Sequence, residues 1–231
     1  MKTSKIIFIS LLGTIAVLIL AALLDVRING RRNNGNQSDF KVNKQIVPSF
    51  KVLCVNNSRN ITLVKNDSSF FEVTYLRDSI ASKVNYTIKG DTMIVSDFEK
   101  LNHRNESVRI FSNDSLKQIL LKNSHINIER LGIGKLSLEM DQSSLWLNQD
   151  KTVESSFQAL DIVARNHSRI NSSEFRIDSI GLVLQNSEAN LEMKASKISG
   201  TLSDSSKIYV RQPEEISLKK DATSKINVND Y

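Results

Sequence analysis

An all-β architecture, a β-solenoid of short stacked coils, follows from three features of the sequence. Between Leu116 and Val228 a polar corner recurs, marked by Ser124, Ser144, Ser168, Ser187, Ser206 and Ser224 at gaps of 20, 24, 19, 19 and 18 residues. Short alternating runs such as Leu136-Ser137-Leu138, Leu160-Asp161-Ile162, Leu182-Val183-Leu184 and Ile216-Ser217-Leu218 precede the corners. No useful i, i+3, i+4 pattern interrupts them. Alternation at period 2 sends every second side chain to one face. A unit of roughly 20 residues cannot bury that face alone, but stacked units bury it as a continuous column. A β-sandwich with regular turns is the competing arrangement. The constant place of the corner favours the solenoid. Corners of Asn, Ser, Asp and Thr explain how a turn-rich chain manages with 8 Gly and 2 Pro, because Asn and Asp tolerate left-handed backbone and bond to it locally.

In chain order, Ile6–Leu24 is an apolar run broken only by Ser10 and Thr14. As a helix it would span about 28 Å, close to a bilayer core. The run reads as an uncleaved signal anchor, so residues 1–25 are expected to form one N-terminal transmembrane helix. A cleaved signal peptide, leaving a secreted protein, is the alternative, but Ala21-Ala22-Leu23 is a poor cleavage site. No Cys follows the run, which excludes lipoprotein processing there. The short N-terminal tail favours an extracytoplasmic, periplasmic C-terminal domain, although positive charge on both flanks weakens the rule. Residues 26–45, rich in Asn and Arg, read as a flexible tether.

Residues 46–231 read as the β-domain, with an irregular β part over 46–115 and regular coils over 116–231. In the irregular part Val84–Ile88 and Met93–Val95 flank Lys89-Gly90-Asp91-Thr92, predicting a hairpin with a four-residue loop. Phe98–Glu106 reads as an exposed loop. The irregular strands are expected to cover the end of the stack, because an open edge recruits other strands.

Phe50-Lys51-Val52, Asn60-Ile61-Thr62-Leu63, Phe71-Glu72-Val73, Val84–Ile88, Lys89–Val95 and Leu116-Lys117-Gln118-Ile119 come in an order that resembles the "putative auto-transporter adhesin, head GIN domain" family, a bacterial domain of unknown function. The resemblance covers about Ile46–Tyr231. It implies a β-solenoid and a bacterial cell-envelope setting, with adhesion as a label, and it carries over no functional residue. The chain departs from the family in being poor in Gly and rich in Asn and Ser at its corners.

The formal charge is +6. Five cations around the apolar run, less Asp25, supply +4 of it, and no basic stripe interleaves with aromatics. Nucleic acid is therefore not an expected partner. Cys54 is alone and lies in a strand-like apolar run, so it reads as a buried structural thiol. His103, His125 and His167 fall on different units and read as solvated side chains, and no metal or cofactor is expected. Gly132-Ile133-Gly134 lacks the third Gly and the helix of a dinucleotide fingerprint. No column of carboxylates marks a lyase. Trp146, the sole Trp, is exposed if Leu145 and Leu147 face inward, and it is the one candidate binding residue.

The resulting expectation is a non-enzymatic envelope binding module of adhesin type, presented from a membrane anchor, with an envelope protein or a glycan as partner. Two alternatives stand beside it. One is a structural scaffold that self-associates through the solenoid ends. The other is a polysaccharide-degrading β-helix enzyme.

Overall fold

The computed structural model describes residues 13, 15, 17–20, 40–76, 84–98, 107–129, 134–148, 157–173, 176–211 and 213–229. The chain divides into two compact units, 1–41 and 42–231. In the apolar N-terminal run, Gly13, Ile15 and Val17–Leu20 are helical and exposed. Among the described residues no helix is long and apolar enough to cross a membrane. The rest of the expected transmembrane helix, and residues 26–39 of the expected tether, lie outside the described residues. The tether was expected to run to residue 45, but Phe40–Ile46 is a strand, β1. It was missed because it is an edge strand that buries little, so apolar alternation does not announce it.

The all-β expectation holds at the level of two large mixed sheets. Early strands are β2 (Val52–Asn56), β3 (Ile61–Lys65), β4 (Phe70–Leu76), β5 (Tyr86–Lys89), β6 (Thr92–Ser96) and β7 (Ser107–Ser112). Then come β8 (Gln118–Lys122), β9 (His125–Glu129), β10 (Lys135–Asp141), β11 (Ser144–Asn148), β12 (Phe157–Arg165) and β13 (Arg169–Ser172). The chain continues through β14 (Arg176–Gln185), β15 (Glu188–Leu191), β16 (Lys194–Ser203), β17 (Lys207–Arg211), β18 (Glu215–Lys220) and β19 (Lys225–Asn229). Among the described residues these form a ten-stranded sheet, β1-β4-β7-β3-β9-β11-β13-β15-β17-β19, and a nine-stranded sheet, β18-β16-β14-β12-β10-β8-β2-β6-β5.

From β8 onward, successive strands alternate between the two sheets, and from β10 onward each pairs in parallel with the strand two before it. Equivalent residues therefore lie over one another. Leu138 sits between Ile119 and Ile162, and Leu145 between Ile126 and Ile170. All six side chains are buried in one continuous core, where each layer shields the next from water.

The regular stacking begins earlier than residue 116. β2 and β3 pair in parallel with β8 and β9. The chain then leaves for residues 66–115 and lays β6 and β7 in parallel on the other side of β2 and β3. β5 and β4 finish that end in antiparallel fashion. The irregular part is thus two stacked layers and a cover, and Phe50, Phe71 and Val84 are buried beneath it. The expected hairpin exists, with Lys89 opposite Thr92. Its loop is two residues rather than four, because Gly90 takes φ +58° and makes the tight reversal. Phe98, read as part of an exposed loop, is buried, and its N–H donates to Ser58 Oγ at 3.1 Å. Residues 99–106 lie outside the described residues.

The corners explain the period. A residue with positive φ, Asn57, Asn123, Gln142 or Asn186, immediately precedes a buried Ser. Two corners use a pair of such residues, Asn166-His167 and Asp204-Ser205. Each buried hydroxyl donates to a carbonyl two or three residues back, as Ser143 Oγ does to Asp141 at 2.7 Å and Ser206 Oγ to Ser203 at 2.6 Å. Four of these hydroxyls also accept an N–H from the serine one layer away: Ser58 to Ser124 Oγ at 3.2 Å, Ser124 to Ser143 Oγ at 3.1 Å, Ser143 to Ser168 Oγ at 3.2 Å, Ser187 to Ser206 Oγ at 3.1 Å. In the paired corners the serine N–H instead returns to its own strand, Ser168 to the Arg165 carbonyl and Ser206 to that of Ser203. The second marker is therefore Ser143, not Ser144, which is half-buried on β11. In the last corner the Asp221 carboxylate receives the N–H of Ser224 at 2.8 Å and that of Asp204, one layer back, at 2.8 Å. Hydrogen bonding from Ser224 foremost, and from Asp204 and Thr223, holds its carboxyl well below the usual carboxylate range.

Two predictions follow from this packing. Ser143→Ala leaves the buried Ser124 N–H without a partner and is expected to cost about 1–3 kcal/mol, whereas Ser144→Ala removes only a half-buried side-chain bond to His125 and is expected to cost less, about 0.5–1 kcal/mol. Urea unfolding of both variants checks this, and equal losses would return the marker to Ser144. At Gly200, φ is +144° and an added Cβ would collide with the Leu182 carbonyl, while at Gly181 it would meet only the movable Asp161 carboxylate, at 2.6 Å. Gly200→Ala is expected to cost more than about 4 kcal/mol and Gly181→Ala clearly less. Thermal midpoints that fall equally would sink that ranking.

Candidate functional site

The outer face of the ten-stranded sheet carries the candidate site. Leu145 and Leu147 are buried at 0% and 1% exposure, and the pleat then turns Trp146 outward at 44%. The conditional expectation for Trp146 is resolved in favour of exposure. Parallel register places Trp146 between Asn127 and Asn171. The same row continues through Asn190, Tyr209 and Asn227. Asparagine thus recurs in the row without forming the corner, a pattern visible in the sequence only once the register is known.

Two residues upstream on each strand lies a second row: His125, Ser144, Arg169, Glu188, Lys207 and Lys225. His125 Nδ1 lies 2.6 Å from Ser144 Oγ, and Arg169 Nε lies 3.8 Å from Glu188 Oε2. This row borders a hollow of about 410 Å³ to which Arg59, His125, His167 and Arg169 contribute. A smaller hollow of about 220 Å³ shares His167 and Arg169 and reaches Lys207. Together they make a basic groove along the corner. Arg59 enters it from the β2–β3 corner, far away in sequence, so composition alone does not reveal it.

His125 and His167, read as solvated, both line this groove, and His167 Nε2 lies 3.3 Å from the Asn186 amide. His103 lies outside the described residues. Burial first, and then the neighbouring Arg59 charge, lower the His125 pKa below its ordinary 6.5. Both effects favour the neutral imidazole. Among the described residues no group of three His, Cys, Asp or Glu side chains is placed to hold a metal ion.

Cys54 was expected to be buried. It is half-buried on the outer face of the nine-stranded sheet, between Ile94 and Leu120, because Leu53 and Val55 are the residues that face the core. Partial burial pushes its thiol pKa up, which disfavours the reactive thiolate. Of Gly132-Ile133-Gly134, only Gly134 is described.

No family model and no curated protein matches the chain. Solved structures do match it. A "putative adhesin" from Bacteroides fragilis aligns with TM-score 0.53 at 15% identity, over 82% of this chain and 97% of that one. A "putative adhesin" from Parabacteroides merdae aligns with TM-score 0.44 at 13% identity, over 84% and 98%. A "putative lipid binding protein" from Parabacteroides distasonis aligns with TM-score 0.45 at 12% identity, over 84% and 98%. The class this defines is an all-β protein with the fold of the Bacteroides fragilis protein. At this identity the likeness concerns the fold alone.

The groove generates a titration prediction. The folded state binds the His125 proton less readily than the unfolded chain, so this group favours folding above about pH 6.5 and that contribution declines as the pH falls through it. In an NMR titration His125 is expected to give a midpoint below 6.5, and Arg59→Gln is expected to move the midpoint upward. A midpoint at or above 6.5 in the parent protein would contradict the assigned environment.

Proposed function

We propose that this chain is a non-enzymatic binding module of adhesin type in the bacterial cell envelope, built as a β-solenoid. The observation that carries this reading is the outer face of the ten-stranded sheet. It sets an exposed Trp and repeated amides in register beside a basic groove. Exposed aromatic surface that a fold does not bury is a recognition feature. The alternation of parallel strands between two sheets supports the solenoid reading. The resemblance to the head GIN domain family supports the envelope setting, and the fold shared with the Bacteroides fragilis "putative adhesin" supports the adhesin-type role. We further propose that Ile6–Leu24 anchors the protein in a membrane and that the β-domain lies on the extracytoplasmic side.

A specific observation favours the scaffold as a second reading. β18 and β19 pair on one side only among the described residues, and Ile216 and Val228 are 41% and 44% exposed there. Such an end favours stacking of copies, although Lys219, Lys220 and Lys225 beside it oppose a like end. Light scattering that shows a monomer at high concentration would remove this reading.

The binding reading is tested in cells with a photo-crosslinking amino acid at Asn171, beside Trp146, and with a control at Val183, exposed on the other sheet. Adducts to one envelope component from position 171 but not from 183 are the expected outcome. Equal adducts from both positions, or none from 171, would reject the proposed face.

A further inference from the structure

The proposed binding face also carries information about its ligand. We infer that it takes a linear acidic glycan, lying across the strands with pyranose rings on Trp146 and Tyr209 and its acidic groups against Arg169 and Lys207. This rests on the binding role proposed for that face.

Trp146, Asn171, Asn190 and Tyr209 are register partners on four consecutive strands, so three strand spacings, roughly 14 Å, separate the two rings. Among the described residues the amides of Asn171 and Asn190 are bonded to no protein group, and each offers donors and an acceptor. A pyranose presents an apolar ring face and a rim of hydroxyls. Aromatic platforms at both ends of a run of unspent amides match that alternation.

Arg169 and Lys207 lie two residues upstream of Asn171 and Tyr209 on the same strands, on the same face of the sheet. Arg59 extends the basic groove beyond them, and the His125 and His167 rings line it as hydrogen-bonding groups. Glu188 interrupts it and meets Arg169 only at 3.8 Å. The groove therefore complements a polymer whose negative charges are spaced out.

Other polymers fit less well. A single-stranded nucleic acid places a charge on every unit and stacks successive bases, whereas Glu188 stands in the basic row and amides separate the two rings. An extended peptide joins a sheet by main-chain pairing at an edge, and this face lies across paired strands.

Trp146 is the sole Trp, so the intrinsic tryptophan fluorescence of the full chain in detergent reports this site alone. Hexagalacturonate and a chondroitin sulfate hexamer would be titrated against cellohexaose and an oligo-dT of similar length, with calorimetry in parallel. Saturable change in Trp146 emission by either acidic sugar, weakened by salt, is expected. Tyr209→Ala is expected to weaken the acidic sugar roughly tenfold. The pair Arg169→Gln and Lys207→Gln is expected to do so by about tenfold or more, with an unchanged thermal midpoint. No emission change and no heat with either acidic sugar would overturn the inference, as would equal binding of cellohexaose or tighter binding of oligo-dT. If no sugar binds while the crosslinker at position 171 still captures an envelope protein, the glycan inference fails and the binding role stands. If both experiments fail, both readings fall.

Discussion

The buried serine corner is the interaction on which the rest of this structure depends. A strand arriving in one sheet must reverse into the other while leaving no backbone polar group stranded in a core of Ile, Leu and Val. The positive-φ residue makes the bend, and the serine hydroxyl directly after it meets the polar groups that the bend exposes. It donates to a carbonyl on its own strand and, in five of the corners described, accepts an N–H from a neighbouring layer. A single small side chain thus closes a turn and locks one layer to the next. Left unpaired, each such group would cost on the order of 1–3 kcal/mol, enough across several corners to exceed the net stability of a small domain.

That lock has consequences along the whole stack. Because each corner holds neighbouring layers in register, side chains of one kind form rows rather than patches. Apolar rows face inward, where Leu138, Ile162 and Leu182 follow one another. Outside, the same repetition places amides and rings in one row and Arg169, Glu188 and Lys207 in the next. The candidate site is therefore a by-product of stacking. No single loop builds it, and its length is set by the number of layers. Glycine shows how strict the register is, since the Cβ of any other residue at Gly200 would enter the backbone of the layer beneath.

The two ends differ for the same reason. Antiparallel β4 and β5 cover the first layers and leave Phe50 and Phe71 dry. The β18–β19 layer has no such cover among the described residues, and Ile216 and Val228 remain exposed. There Asp221 performs for its corner what neighbouring hydroxyls perform elsewhere, and its carboxylate is stabilised by the N–H groups it gathers.

Alternation and polar corners are local signals, so the all-β class, the period near 20 and the tolerance of Asn for left-handed backbone could be read directly from the sequence. The choice between Ser143 and Ser144 could not. Both positions are polar, and only the need of the Ser124 N–H for a buried acceptor selects the first. That β2 and β3 join the regular stack was equally hidden, because their partners arrive 66 residues later, as the Ser58–Ser124 bond shows. Trp146 was legible as a candidate but not as an exposed one until the burial of Leu145 and Leu147 decided the face. The basic groove was invisible, since Arg59, His125, His167 and Arg169 come from corners and strands that only stacking brings together. What each short segment does is written locally in the chain, because period-2 patterning and corner chemistry act within a few residues. The tertiary structure alone decided which segments became neighbours, because pairing between layers depends on burying a shared core and on satisfying backbone groups across long loops.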